Sequence, residues 1–234
     1  MLPASLPAAH CRRLRDIYRS AGWPCQDTVE IELLCAGWVE RVRSPLGHET
    51  LRVTDHGLQL LAATLQRNRA RRDAHEALVG RVGEAMTRAG RLAWRGLSLR
   101  ARVEDGWVMA MPDVFSIRNT SVEAYAEPIV HEIKVQRADL LCDLRKASKR
   151  AAYLDMSSEC WYVIRRGIAT PEEIPAECGV LLADDDRLEV ARPAPRRAMR
   201  MAFGVWMALA RATPMPGWRD HDAQACLGDS AASG

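Results

Sequence analysis

Two short phrases hold the residues best placed to do chemistry. They are Met111-Pro112-Asp113-Val114-Phe115 and Ile129-Val130-His131-Glu132-Ile133-Lys134. Both are apolar around their charged members, so both read as strands. Glu132 and Lys134 are two apart, which on a strand sends both to one face and Ile133 to the other. A carboxylate and an amine held side by side cost stability unless they pair or something binds them. With Asp113 on a neighbouring strand, two carboxylates and a lysine meet at one point. That set suits a hard divalent cation, with an ammonium beside it to orient or activate a water. Two plainer readings stay open: Asp113 as a turn-side carboxylate capping a neighbouring strand, and Glu132 with Lys134 as an ion pair on a solvated sheet face.

The elements that must position these residues follow from periodicity and punctuation. A helix over Ala74–Ala89 ends at Gly90, and apolar strands follow at Leu92–Leu99, Gly106–Phe115 and Ile129–Val135. A helix over Ala138–Asp155 precedes a strand at Cys160–Ile164, a Pro171–Glu173 turn, and strands at Gly179–Ala183 and Leu188–Ala191 around the acidic turn Asp184–Asp186. Pro193 and Pro195 introduce a last helix, Arg196–Ala212. Strands and helices mixed in this way give an α/β class. Ahead of this segment stand a helix from Ala8 to Ser20, a helix capped by Asp27, a hairpin of Trp38–Arg43 with Thr50–Val53, and a helix over Gly57–Asn68. The basic stretch Arg67–Asp73 reads as the linker.

The order helix, helix, hairpin, helix, closed by Leu-Arg-Val-Thr-Asp-His-Gly, resembles the winged-helix family. Only one short helix fits between Gly22 and Trp38, where that family places the element that enters the major groove. Pro112-Asp113 followed by Glu132-Ile133-Lys134 resembles the motif of the PD-(D/E)XK nuclease superfamily. The stretch from Glu132 through Asp139, Asp143, Lys146, Lys149 and Tyr153 to the Pro-Glu turn is similar to the bacterial MmcB-like DNA-repair branch. The resemblance implies a restriction-endonuclease-like mixed sheet flanked by helices, preceded by a small winged-helix-like domain. It implies that Asp113, Glu132 and the Ile133 carbonyl ligate Mg²⁺, with Mn²⁺ substituting, and that Lys134 orients the attacking water. Glu76, in the helix before the first strand, would be the upstream acid, with Glu84 the alternative. An acid in a first helical turn is also favoured by the helix dipole alone. Lys146, Lys149 and Arg150 would contact phosphates, as would Arg12 and Arg13 in the first module. The implied activity is metal-dependent cleavage of DNA in repair, recombination or defence. A non-catalytic DNA-binding or assembly module on the same fold is the rival.

Composition sets the outer bounds. The chain has 234 residues, 48% hydrophobic and 27% charged, enough to bury a sizeable core. Net charge is only +3, from 33 basic and 30 acidic residues, unlike a strongly basic nucleic-acid binder. Thirty of the basic residues are arginine, and the three lysines, Lys134, Lys146 and Lys149, lie close together. Seven cysteines without a CxxC pair give no support to a zinc ribbon or an iron–sulfur cluster. No apolar run approaches a membrane span and the start lacks a signal-peptide core, so the expectation is a cytoplasmic protein without membrane contact. A homodimer would supply the two sites that a double-strand cut needs. His131 is expected in the core or at the surface, and Trp38, Trp94, Trp107 and Trp161 in the core. The expected organisation is 1–68 winged-helix-like, 69–195 nuclease-like, 196–213 a packing helix and 214–234 a disordered tail.

Overall fold

The computed structural model describes residues 6–103 and 106–217. Most of the expected tail, 218–234, therefore lies outside the described residues. The chain divides into two units, the first ending at Asp73 and the second beginning at Ala74.

The first unit contains helices α1 (Ala8–Arg19) and α2 (Thr28–Cys35), the antiparallel hairpin β1 (Val39–Arg43) and β2 (Glu49–Val53), and the start of α3 (Asp55–Arg88). Asp27 caps α2 by accepting the Glu30 amide, and the Thr54 hydroxyl accepts the Gly57 amide at 3.2 Å as α3 begins. Leu14, Ile17, Leu33, Val39, Leu51, Leu60 and Leu61 form its core. Gly57 is required there, because a Cβ would lie 2.2 Å from the Trp38 carbonyl oxygen.

Residues 67–73 are not a linker. They lie inside α3, which runs unbroken for 34 residues. The stretch Arg-Asn-Arg-Ala-Arg-Arg-Asp holds neither Gly nor Pro, and Arg and Ala are strong helix formers. Nothing in it stops propagation.

In the second unit a six-stranded mixed sheet has the order β10-β9-β8-β7-β6-β3. These strands are β3 (Arg91–Arg95), β6 (Val114–Arg118), β7 (Ile129–Lys134), β8 (Glu159–Arg165), β9 (Gly179–Ala183) and β10 (Leu188–Arg192). The three central strands β7, β8 and β9 are parallel, and the outer pairings are antiparallel. Alternation along the strands makes two apolar faces. Ala93, Val114, Ile133, Val163 and Ala183 pack with Leu78, Val79 and Val82 of α3. Phe115, Val130, Tyr162, Ile164 and Val180 belong to a second cluster. It includes Leu140 of α4 (Arg137–Leu144), Tyr153 and Met156 of α5 (Ala147–Met156), and Val205 and Leu209 of α6 (Phe203–Arg211).

Five further expectations are corrected. The strand expected at Leu92–Leu99 ends at Arg95, where Gly96 turns with φ +58°, and Leu99 opens a separate strand. That strand, β4 (Leu99–Val103), pairs with β5 (Gly106–Ala110) as its own two-stranded sheet. The expected strand Gly106–Phe115 is thus β5 and the start of β6, parted by Met111-Pro112-Asp113, where proline withholds a ladder donor. The helix expected over Ala138–Asp155 is α4 and α5, interrupted at Arg145 and Lys146. The last helix begins at Phe203 rather than Arg196. Residues before it are held extended by the Arg197 amide on the Ser158 carbonyl and the Arg197 guanidinium on the Glu177 and Ser157 carbonyls. Trp107 is 58% exposed, with the Arg100 guanidinium 4.5 Å from its ring centroid, whereas Trp94 is buried as expected.

Past α6 the chain returns to the sheet. The Met215 amide donates to the Ala93 carbonyl of β3 at 2.7 Å. The Met215 sulfur crosses Gly83 of α3, where a Cβ would lie 2.3 Å from it.

Candidate functional site

The ladder between β6 and β7 stops at the pair Val114 and His131. Beyond it the Asp113 side chain takes the place of a strand: its Oδ2 accepts the Ile133 amide at 2.7 Å. The capping reading of Asp113 is therefore correct as far as it goes. It also puts the carboxylate against the residue between Glu132 and Lys134. As the period of two requires, Ile133 enters the α3-side core, while Glu132 and Lys134 share the opposite face with Tyr162, the β8 partner of Glu132.

On that face two carboxylates, two lysines and two tyrosines form one buried network. Glu132 is 3% exposed. Its Oε1 accepts from Lys134 Nζ and, at 2.6 Å, from Lys149 Nζ; its Oε2 accepts the Tyr153 hydroxyl at 2.7 Å. Tyr153 also lies 3.0 Å from the Met111 carbonyl, next to Pro112. Asp143 binds Lys149 Nζ at 2.7 Å through Oδ1, with Lys134 Nζ 3.7 Å away, and accepts the Tyr162 hydroxyl at 2.9 Å through Oδ2. The expected pair of Glu132 and Lys134 exists, but it is buried rather than solvated.

This network accounts for the break between α4 and α5. Neither Gly nor Pro stands at 145–146; instead Asp143 and Lys149, on separate helices, are both drawn onto the sheet face. Burial would raise the Asp143 carboxyl, but the Lys134 and Lys149 ammonium groups overcome it and hold the pKa below the usual range. Burial would lower Lys149, yet Glu132 and Asp143 carry it above its ordinary value. Tyr153 is raised by burial and by Glu132, and Tyr162 by burial and by Asp143, so both stay hydrogen-bond donors.

The remaining expected residues are placed as follows. Glu76 turns to Arg95, which bonds its Oε2 at 2.7 Å. The α3 residue that faces Asp113 is His75, with Nε2 3.4 Å from Asp113 Oδ1; this contact raises the His75 pKa. Lys146 is exposed at the start of α5. Arg150 pairs with Glu177 at 2.9 Å, and Arg13 is bidentate on Asp27. Arg12 is exposed, and Glu84 pairs with Arg88. His131 is buried, its pKa pushed down to about 3 by burial and by Arg91.

Among the described residues no three His, Cys, Asp or Glu side chains converge to hold a metal. Mg²⁺, however, keeps several waters and is commonly held by one or two carboxylates plus substrate phosphates. Asp113 and Glu132, with the carbonyl of Ile133 next to Glu132, fit that requirement once Lys134 and Lys149 yield Glu132 Oε1.

The second unit is thus a mixed α/β fold with a six-stranded mixed sheet flanked by helices, and the first, earlier in the chain, is made of helices and one hairpin. No protein-family model and no curated protein matches the sequence. Among solved structures it is similar to the SPO1766 protein of unknown function from Silicibacter pomeroyi. Identity is 22% and the TM-score 0.39, over 67% of this chain and 92% of that one. No helix among the described residues is long and apolar enough to cross a membrane.

Proposed function

We propose that the second unit is a metal-dependent DNA nuclease of the PD-(D/E)XK kind, with a restriction-endonuclease-like sheet, and that the first is a winged-helix-like module. The carrying observation is the bond from Asp113 Oδ2 to the Ile133 amide, which gathers Asp113, Glu132 and Lys134 where β7 ends. Mg²⁺ held by Asp113, Glu132 and the Ile133 carbonyl would supply a deprotonated water and neutralise charge at the scissile phosphate. Lys134 orients that water and stabilises the charge that develops on phosphate oxygens. Tyr153 fixes the Glu132 carboxylate through Oε2. His75 holds Asp113 from the α3 side, a place the resemblance gave to Glu76.

One observation favours the non-catalytic reading: each oxygen of Glu132 and Asp143 already has a partner within the chain. Labelled single-stranded, duplex, nicked, flap and junction DNA, and RNA, treated with Mg²⁺, Mn²⁺ or EDTA, separate the two. The nuclease reading expects metal-dependent cutting that falls about a hundredfold or more in Asp113→Ala and in Lys134→Ala. It also expects Mg²⁺ to raise the melting temperature of wild type but not of Asp113→Ala. No cutting and no metal-dependent stabilisation would leave the network as a structural one.

A further inference from the structure

The first unit distributes its charge unevenly. Helix α2 carries Glu30 and Glu32 and no basic residue. The arginines of the hairpin are matched by acids: Arg41 with Glu30 and Glu49, Arg43 with Glu49, and Arg52 with Glu40. Arg13 of α1 is spent on Asp27. A groove of about 330 Å³ between α1 and α3 has the opposite character. Arg12, Arg15, Arg67 and Arg71 line it over an apolar floor that includes Leu61 and Leu65, and among the described residues no acid does. Among the described residues Arg12, Arg15 and Arg71 form no ion pair, whereas Arg13, next to Arg12 on α1, does.

The spacing is that of two facing rows. Arg12 and Arg15 are three apart on α1, and Arg67 and Arg71 four apart on α3, so each pair sits on one side of its helix. The α1 pair is separated by about 4.5 Å along its helix axis and the α3 pair by about 6 Å. Guanidinium groups match phosphate oxygens in a planar fork. Paired cations at this spacing suit a repeated monoanion such as the phosphodiester backbone, with the Asn68 amide beside them as a further donor to phosphate oxygens.

We infer that the Arg12, Arg15, Arg67 and Arg71 groove binds the phosphodiester backbone of DNA, and that this face, not α2 or the hairpin, is the nucleic-acid surface of the first unit. The choice of polymer rests on the nuclease reading of the second unit. Arg13, expected in this role, has no part in it.

The test is fluorescence anisotropy of the full chain with a labelled random-sequence duplex in EDTA, across a salt series. In Arg12→Gln/Arg15→Gln/Arg71→Gln the slope of log K against log salt should become shallower by about two to three, near 0.9 per lost phosphate contact. Binding at low salt should weaken by roughly tenfold to a hundredfold. The corresponding triple lysine variant should keep the wild-type slope, and Arg52→Gln should bind within about twofold of wild type. An unchanged slope in the glutamine variant overturns the inference, as does equally tight, groove-dependent binding of polyglutamate. Because EDTA removes cutting, the two readings fail separately. Cleavage with groove-independent binding sinks the groove alone, and groove-dependent binding without cleavage sinks the nuclease alone.

Discussion

Glu132 shows how a charge survives almost complete burial. Desolvating a carboxylate costs several kcal/mol, and its partners must offset that with good geometry. Two ammonium groups and one phenol hydroxyl do so here. Such a network is costly to break on one side, because the partner left behind is buried and unpaired. Tyr153→Phe, which deletes only the hydroxyl, should therefore lower unfolding free energy by about 1.5–3 kcal/mol in urea titration. The common face of Glu132 and Lys134 was legible in the sequence because a strand's period of two needs no tertiary knowledge. Tyr162 and His75 were not. The first depends on the register of β8 against β7, and the second on the rotational phase of α3. Aspartate and tyrosine on the following helix stood in the motif, but their convergence on Glu132 requires the break at 145–146 that no residue there announces.

Elements with their own punctuation were read nearly to the residue. Asp27 starts α2, and β7, β8 and β9 begin and end within a residue or two of expectation. Errors cluster where continuity is decided by what is absent. Residues 67–73 looked like a hydrophilic joint, yet without Gly, Pro or a capping pair a helix simply continues through them. A proline there would remove a hydrogen bond and clash with the preceding turn. Ala70→Pro should cost about 3 kcal/mol or more and reduce the 222 nm circular dichroism, whereas Ala70→Lys should leave both nearly unchanged.

At the scale of the molecule, the near balance of 33 basic and 30 acidic residues conceals how many of them are committed to partners. Asp27, Glu30, Asp143, Glu123, Glu172 and Glu173 all have pKa values lowered by those partners. A lowered carboxylate stabilises the fold above its unfolded pKa and loses that contribution as pH falls through the folded one. His131 acts in the same direction over a higher window. Buried and neutral, with a folded pKa of about 3, it resists the protonation that the unfolded chain accepts near pH 6.5. Stability should thus decline from about pH 6.5 downward, His131 contributing about 1.4 kcal/mol per pH unit until near pH 3. His131→Leu should flatten the limb between pH 6 and pH 4 by about one proton in denaturant titrations.

The return of the chain to β3 bears on how copies of this protein behave toward one another. An outermost strand offers unpaired amides and carbonyls to any passing strand, which is the usual route to edge-to-edge aggregation. The Met215 amide occupies the Ala93 carbonyl, and its sulfur fits over Gly83, where any side chain would push it off. At the opposite margin, the register of β10 shifts between Val190 and Arg192, and the Arg192 guanidinium turns back onto the Cys178, Pro171 and Ile174 carbonyls. One carbonyl of β3 is thereby taken and β10 is kinked by its register shift, so neither margin is a long, regular edge. Gly83 leaves the room on α3 that the Met215 side chain takes as its amide bonds β3.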